Sequence, residues 1–196
     1  FALSRIGYGL LGPVRGARRP GQGGWIAAGF VYVGLPLVCF VALRGGDGGL
    51  AVILFVLVCA AASDTLAFFV GRAVGGPKLW RRVSPAKTWS GAVGGLAGGT
   101  AAGVLVAVLA DLPVTVATVA LAAALSAVGI LGDLLESGLK RHFGVKDAGR
   151  IIPGHGGVMD RVDGIGAAGV FAVAIATAFS PNSPPAEALV AAMALS

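Results

Sequence analysis

Five runs of about twenty apolar residues constrain this chain more than any other feature, because a helix of that length is what crosses a bilayer. They fall at 25–43, 50–71, 91–110, 113–131 and 165–179. Lipid offers no partner to a backbone N–H or C=O, so such runs must fold as helices that satisfy their own backbone. Only 12% of the residues are charged, where a soluble domain carries about 25%. The expected fold class is therefore all-α: a polytopic integral membrane helical protein of about five to seven transmembrane helices. The tail AEALVAAMALS is apolar enough to open a sixth helix, and residues 1–12 could end another or lie at the interface. Residues 1–196 are expected to form a single membrane-embedded domain, and Phe rather than Met at position 1 implies that the natural start is missing.

Lys and Arg set the orientation. Arg15, Arg18 and Arg19 precede the first run; Arg72, Lys78, Arg81, Arg82 and Lys87 separate the second from the third; Lys140, Arg141, Lys146, Arg150 and Arg161 separate the fourth from the fifth. If every run crosses, these thirteen share one side and Arg44 stands alone on the other, so the basic loops are expected in the cytoplasm. Cys39 and Cys59 lie inside apolar runs, with no spacing that suits a disulfide or a metal.

Two of the basic loops carry more than a topology signal. In GDLLESGLKRHFG, residues 132–144, Asp133, Glu136, Ser137, Lys140 and Arg141 recur at helical spacing and share a face. A solvated helix with internal ion pairs would look the same. Here the face continues directly from an apolar span, so Asp133 lies near the membrane boundary, where a carboxylate needs a partner. The stretch KDAGRIIPGHGGVMDRVDG, 146–164, then gathers Lys146, Asp147, Arg150, His155, Asp160, Arg161 and Asp163 among five glycines. Gly156 and Gly157 suit a backbone that approaches a ligand closely and offers N–H groups to phosphate oxygens. Asp160 and Asp163 stand at the start of the last span, where one acid could serve as an N-cap or dipole partner; two with an Arg between them exceed that need. Asp133, Asp160 and Asp163 are oxygen ligands of the kind Mg²⁺ takes, completed by water and substrate phosphates. From 133 to 163 five acids balance five bases, and a divalent ion would tip the loop positive, as a polyphosphate site requires.

A second patch, residues 63–91, holds Asp64 inside an apolar run, which makes it a functional candidate or a hydrogen-bonded helper to Ser63 or Thr65. Arg72, Lys78 and Lys87 could take phosphates or merely obey the orientation rule. Trp80 and Trp89 suit interfacial anchors. In SPAKT, Ser84 and Thr88 flank Lys87, and Pro85 is expected to fix a turn in a phosphate-contact loop.

The run from Ser137 to Asp163, S..KR....KD.G..IPGHGG..DR.D, resembles the signature of phosphatidate cytidylyltransferases, also called CDP-diacylglycerol synthases. GDLLES and SDTLAFFVGR are similar to that family's upstream segments, and the resemblance covers about 63–180. Where the family often reads SPKKTWEG, this chain has Ala86 and Ser90 in SPAKTWSG. The resemblance implies that CTP and phosphatidic acid give CDP-diacylglycerol and pyrophosphate. It implies an integral membrane enzyme, divalent-metal dependence met by Mg²⁺ (with a second monovalent or divalent cation left open), and a homodimer. It implies that Asp133 and Asp160 bridge the metal centre with Asp163 close by. Lys140, Arg141, Lys146 and Arg161 are then expected to clamp phosphates, with His155 as proton or hydrogen-bond donor. Asp64, Arg72, Ser84, Lys87, Ser137, Asp147, Gly156 and Gly157 are expected to touch substrate. The partners expected are CTP, phosphatidic acid and membrane lipids, with no nucleic acid. The Arg and Ala/Gly bias suggests a bacterium, which places the protein in the inner membrane with its site facing the cytoplasm. A CTP-dependent polyprenol or phytol kinase and a CDP-archaeol synthase-like enzyme are the enzymatic alternatives. A transporter would need polar residues deep in several spans, and besides Asp64 the spans carry almost none.

Overall fold

The computed structural model describes residues 22–142 and 159–195, except that at 22, 23, 25, 26, 28 and 159–162 the backbone alone is described. The chain divides into two units, Phe1–Tyr32 and Val33–Ser196. In the first unit the described residues belong to the opening of helix α1 (Gln22–Arg44). The second holds the rest of α1, then α2 (Gly49–Val74), a hairpin of β1 (Lys78–Trp80) and β2 (Ser84–Thr88), α3 (Trp89–Leu109), α4 (Val116–His142), α5 (Met159–Phe179) and α6 (Pro185–Met193). Among the described residues, α2, α3 and α4 are each long and apolar enough to cross a membrane, and Gly29–Arg44 and Asp163–Phe179 are shorter apolar stretches. The protein is an all-α polytopic membrane protein, with the small hairpin as its one departure from helix among the described residues.

Lipid is as apolar as leucine, so helices in a membrane hold together by close packing rather than by escape from water. The sequence supplies that closeness on α3, where Gly91, Gly95, Gly99 and Gly103 recur every fourth residue and are all buried. A Cβ on Gly91 would stand 2.6 Å from the Ala67 carbonyl oxygen, and one on Gly99 2.7 Å from that of Cys59, so α2 and α3 meet backbone to backbone. Ser126 on α4 donates a hydrogen bond to the Cys59 carbonyl at 3.4 Å and ties the third helix to this pair. Phe55, Val56 and Cys59 of α2 pack with Ala122 and Leu125 of α4 and Ala168 and Ala172 of α5 in one buried cluster. Leu37, Val41, Leu105 and Leu109 face outward, as lipid-facing positions do.

One sequence expectation holds and one does not. The polar face read over 132–144 does continue straight from the fourth apolar run: α4 runs without a break to His142 and carries 133–141 on the same rigid rod. SPAKT is not a turn but the strand β2, paired antiparallel with β1, and the reversal lies between Trp80 and Ser84, where the Val83 N–H donates to the Trp80 carbonyl at 3.2 Å. Pro85 is tolerated because a two-stranded hairpin consists of edge strands, where a missing N–H leaves no ladder broken. Thr88 then caps α3, its Oγ1 accepting from the Gly91 N–H at 3.1 Å.

Candidate functional site

The C-terminal half of α2, the hairpin, the start of α3 and the middle of α4 enclose a polar cavity of about 930 Å³. Asp64 and Arg72 reach it from α2 at a spacing of two helical turns, Lys78, Ser84 and Lys87 from the hairpin, and Asp133 from α4. Gly75 and Gly76, with φ of +67° and +103°, let the chain leave α2 and turn at once into β1, which a side chain there would oppose. Ser90 fastens this turn from below by donating to the Gly75 carbonyl, and it also lies 3.0 Å from the Thr88 hydroxyl. Ser90 thus holds the Gly75 turn that borders the cavity, and Ala86 lines it.

Beside this cavity three carboxylates converge. Oxygens of Asp133 and Glu136 on α4 and Asp163 on α5 all lie within 4.8 Å of one another. The helices can bring them together because Gly132 and Gly164 sit at their crossing; a Cβ on Gly132 would come within 3.3 Å of the Gly164 Cα. Two ammonium groups reach in: Lys87 from the hairpin pairs with Asp133, and Lys140 lies 2.8 Å from Oε2 of Glu136 one turn along α4. Glu136 is 4% exposed, and its oxygens are met by the Lys140 ammonium and by the carboxyl of Asp163. Asp163 stands just before the apolar run 165–179. Burial first, then its hydrogen bond with Glu136 and the charges of Asp133 and Glu136, push its carboxyl up to about 8. The Gly164 N–H, 2.7 Å from Oδ1, only partly opposes this.

The physical content is a charge imbalance. Among the described residues, three carboxylates against two ammonium groups leave one negative charge unmatched, and the buried Asp163 carboxyl, raised to about 8, is the one that favours its proton. A divalent cation would meet it better. The donors are all hard carboxylate oxygens at one locus, the set that Mg²⁺ takes, and Glu136 has acceptor capacity to spare. The residues fit a metal of that kind.

Of the residues singled out from sequence, the structure brings Asp64, Arg72, Ser84 and Lys87 into the cavity with Asp133, and Asp163 into the acidic cluster. Lys140 is engaged with Glu136. Arg141 lies farther out, its Nε 3.5 Å from the Val83 carbonyl of the hairpin. Ser137 is half-buried on α4. Asp160 and Arg161 belong to the first turn of α5, three and two residues before Asp163, with their side chains outside the described residues. Lys146, Asp147, His155, Gly156 and Gly157 also lie outside them. Glu136 was missed as a site residue. Its place on the face of Asp133 was legible, but its spacing to Lys140 read as an ordinary solvated ion pair. Burial against α5 is what separates it from one.

The match to known proteins extends over most of the chain. The model of the cytidylyltransferase family matches residues 10–179. The phosphatidate cytidylyltransferase of Brucella suis biovar 1 (strain 1330) is 47% identical over 165 residues, 83% of this chain and 61% of the relative. That of Bacillus subtilis (strain 168) is 39% identical over 142 residues, 71% of this chain and 53% of the relative. That of Staphylococcus haemolyticus (strain JCSC1435) is 44% identical over 133 residues, 67% and 50% respectively. The chain thus spans between half and about three fifths of the length of these relatives. With a family match running through α2, the hairpin and the helices that carry the acidic cluster, the chain belongs to the cytidylyltransferase family.

Proposed function

We propose that the protein to which this chain belongs is a phosphatidate cytidylyltransferase, joining CTP to phosphatidic acid to give CDP-diacylglycerol and pyrophosphate. The observation that carries the reading is the meeting of the polar cavity and the acidic cluster at Asp133, at the end of helices that are otherwise apolar. The names of the relatives support it.

In this reaction a phosphate oxygen of the lipid attacks the α-phosphorus of CTP. A new P–O bond forms, the bond from the α-phosphorus to the bridging oxygen breaks, and pyrophosphate leaves with the electron pair. The nucleophile is already anionic, so no strong base is required. What must be overcome is repulsion between two polyanions, and positioning with charge neutralisation does this. Arg72, Lys78 and Lys87 present cations to the cavity and would hold phosphate oxygens there. Arg141, Lys140, Lys146 and Arg161 would clamp the remaining phosphates, Arg being suited to two parallel hydrogen bonds. Gly156 and Gly157 would offer backbone N–H groups, and His155 a hydrogen bond or proton to a phosphate oxygen. Asp64, Ser84, Ser137 and Asp147 complete the substrate contacts. Asp133, Glu136 and Asp163, with Asp160 from the same turn of α5, would hold Mg²⁺ and, with it, a second cation. The metal would neutralise charge on the nucleotide phosphates and the departing pyrophosphate. The basic loops support a site on the cytoplasmic face of a bacterial inner membrane, and the protein is proposed to work as a homodimer.

The test is pyrophosphate release by the full-length protein in detergent with CTP, phosphatidic acid and Mg²⁺, alongside Asp133→Asn and Asp160→Asn. Release that needs the lipid and disappears in both variants is expected. No release from the folded wild-type protein overturns the reading, and a lipid alcohol accepting phosphate with release of CDP would replace it with a kinase.

A further inference from the structure

Next to the polar cavity lies a second one of about 710 Å³ whose lining is almost wholly apolar. We infer that this groove receives one acyl chain of the lipid substrate, so that its bore sets chain selectivity. The inference rests on the lipid-substrate reading above and adds to it a place for the chain.

The groove is built by helical periodicity. On α3, Trp89, Val93 and Leu96 recur at four and three residues and line one side. On α4, Ala127, Leu131, Leu135 and Gly138 make the other side, again at steps of four and three. From Ala127 to Leu139 the wall runs about 18 Å along the helix axis, at 1.5 Å per residue. This face of α4 is turned away from the face of Asp133, Glu136 and Lys140, so one helix presents acids to one cavity and a greasy stripe to the other. Leu79, Trp80 and Val83 of the hairpin close the end nearest the polar site.

Three features select the occupant. The polar cavity and the groove share Leu79, Ala92 and Ile130, so a molecule lying over that ridge has one end among cations and the other among hydrocarbon. The groove descends from the hairpin down the two membrane helices, the direction a chain takes when its headgroup is held at the membrane surface. The groove is open sideways, Val93, Leu131 and Leu135 being more than half exposed, so a chain can enter it from the bilayer without leaving hydrocarbon. A phosphate-headed lipid has this chemistry. Gly138 is the gauge of the bore, because a Cβ there would meet only Val83, at 3.8 Å, so the space it leaves is not filled by another side chain.

The experiment compares kcat/KM for dioleoyl and dihexanoyl phosphatidic acid, read by pyrophosphate release from the full-length protein in detergent. Gly138→Leu and Val93→Trp fill the groove from opposite walls, and Leu105→Trp adds the same bulk to the outer surface of α3. Both filling variants are expected to lower the dioleoyl value by about tenfold or more while leaving the dihexanoyl value within about twofold, and Leu105→Trp to leave the ratio unchanged. If Gly138→Leu does not fold, Val93→Trp, whose side chain is more than half exposed in the wild type, decides alone. An unchanged ratio in the filling variants, or the same shift in Leu105→Trp, overturns the inference and leaves the groove as a site of surrounding lipid only. Absence of release from either lipid by the wild type removes the underlying reading instead, so the two failures are distinct.

Discussion

Two lysine–carboxylate pairs hold the acidic cluster, and they are built differently. Lys140 and Glu136 sit one turn apart on α4, and the pair follows from that spacing. Lys87 and Asp133 are 46 positions apart and come from a hairpin and a helix that only the fold brings together. The local pair is the deeper one, with Glu136 side chain 5% exposed; the distant pair is 22% and 24% exposed and lines the polar cavity. The deeper local pair is expected to steady the rod that carries the site, and the more exposed distant pair to open toward phosphate or metal.

The comparison breaks most severely at Asp133, which belongs to both the cavity and the cluster. Asp133→Asn is expected to lower kcat/KM for CTP by on the order of 10³-fold, in the range of losing one preorganised charge in an active site, as pyrophosphate release would read. Breaking the local pair comes next. Lys140→Met leaves Glu136 buried without its cation and is expected to lose roughly 3 kcal/mol in unfolding measurements in detergent. Adding Glu136→Gln should return most of that loss, and a double variant no more stable than Lys140→Met alone would show that the pair is not what steadies α4. Lys87→Met should do the reverse. Stability falls by under about 1 kcal/mol because the pair is partly solvated, yet kcat/KM for CTP falls by about 10²-fold as a phosphate contact is lost.

Stability also depends on pH. In the metal-free protein Asp163 is raised from 3.8 to about 8, so the folded state holds a proton that the unfolded chain gives up. That contribution to stability is complete at acidic pH and is lost as pH rises from about 4 through 8. Thermal unfolding in chelator should therefore show a decline over this window that Asp163→Asn flattens. Divalent-cation affinity should rise over the same window, because binding must displace that proton.

Much of this was legible before any coordinates. The five apolar runs gave the helices, and Asp133 could be placed at a membrane boundary because its helix face continued an apolar span without a break. Asp64 stood out as an acid inside an apolar run, and Arg72, Ser84 and Lys87 as possible phosphate contacts in the loop that follows it; all four share the cavity. Pro85 misled, since a proline between serine and lysine suits a turn as well as an edge strand, and only pairing with Lys78–Trp80 decides between them.

By itself the sequence determined the membrane class, the expected sidedness of the basic loops and the face of α4 that bears acids. Those rest on hydrophobic length, charge count and a period of 3.6 residues, which are properties of neighbours in the chain. Tertiary structure alone decided that Glu136 is buried against Asp163, that Lys87 reaches Asp133, and that the two faces of α4 look into two cavities of opposite polarity. Those depend on which helix crosses which, and here that is set by Gly132 and Gly164, whose missing side chains let α4 and α5 approach closely enough for three carboxylates to meet.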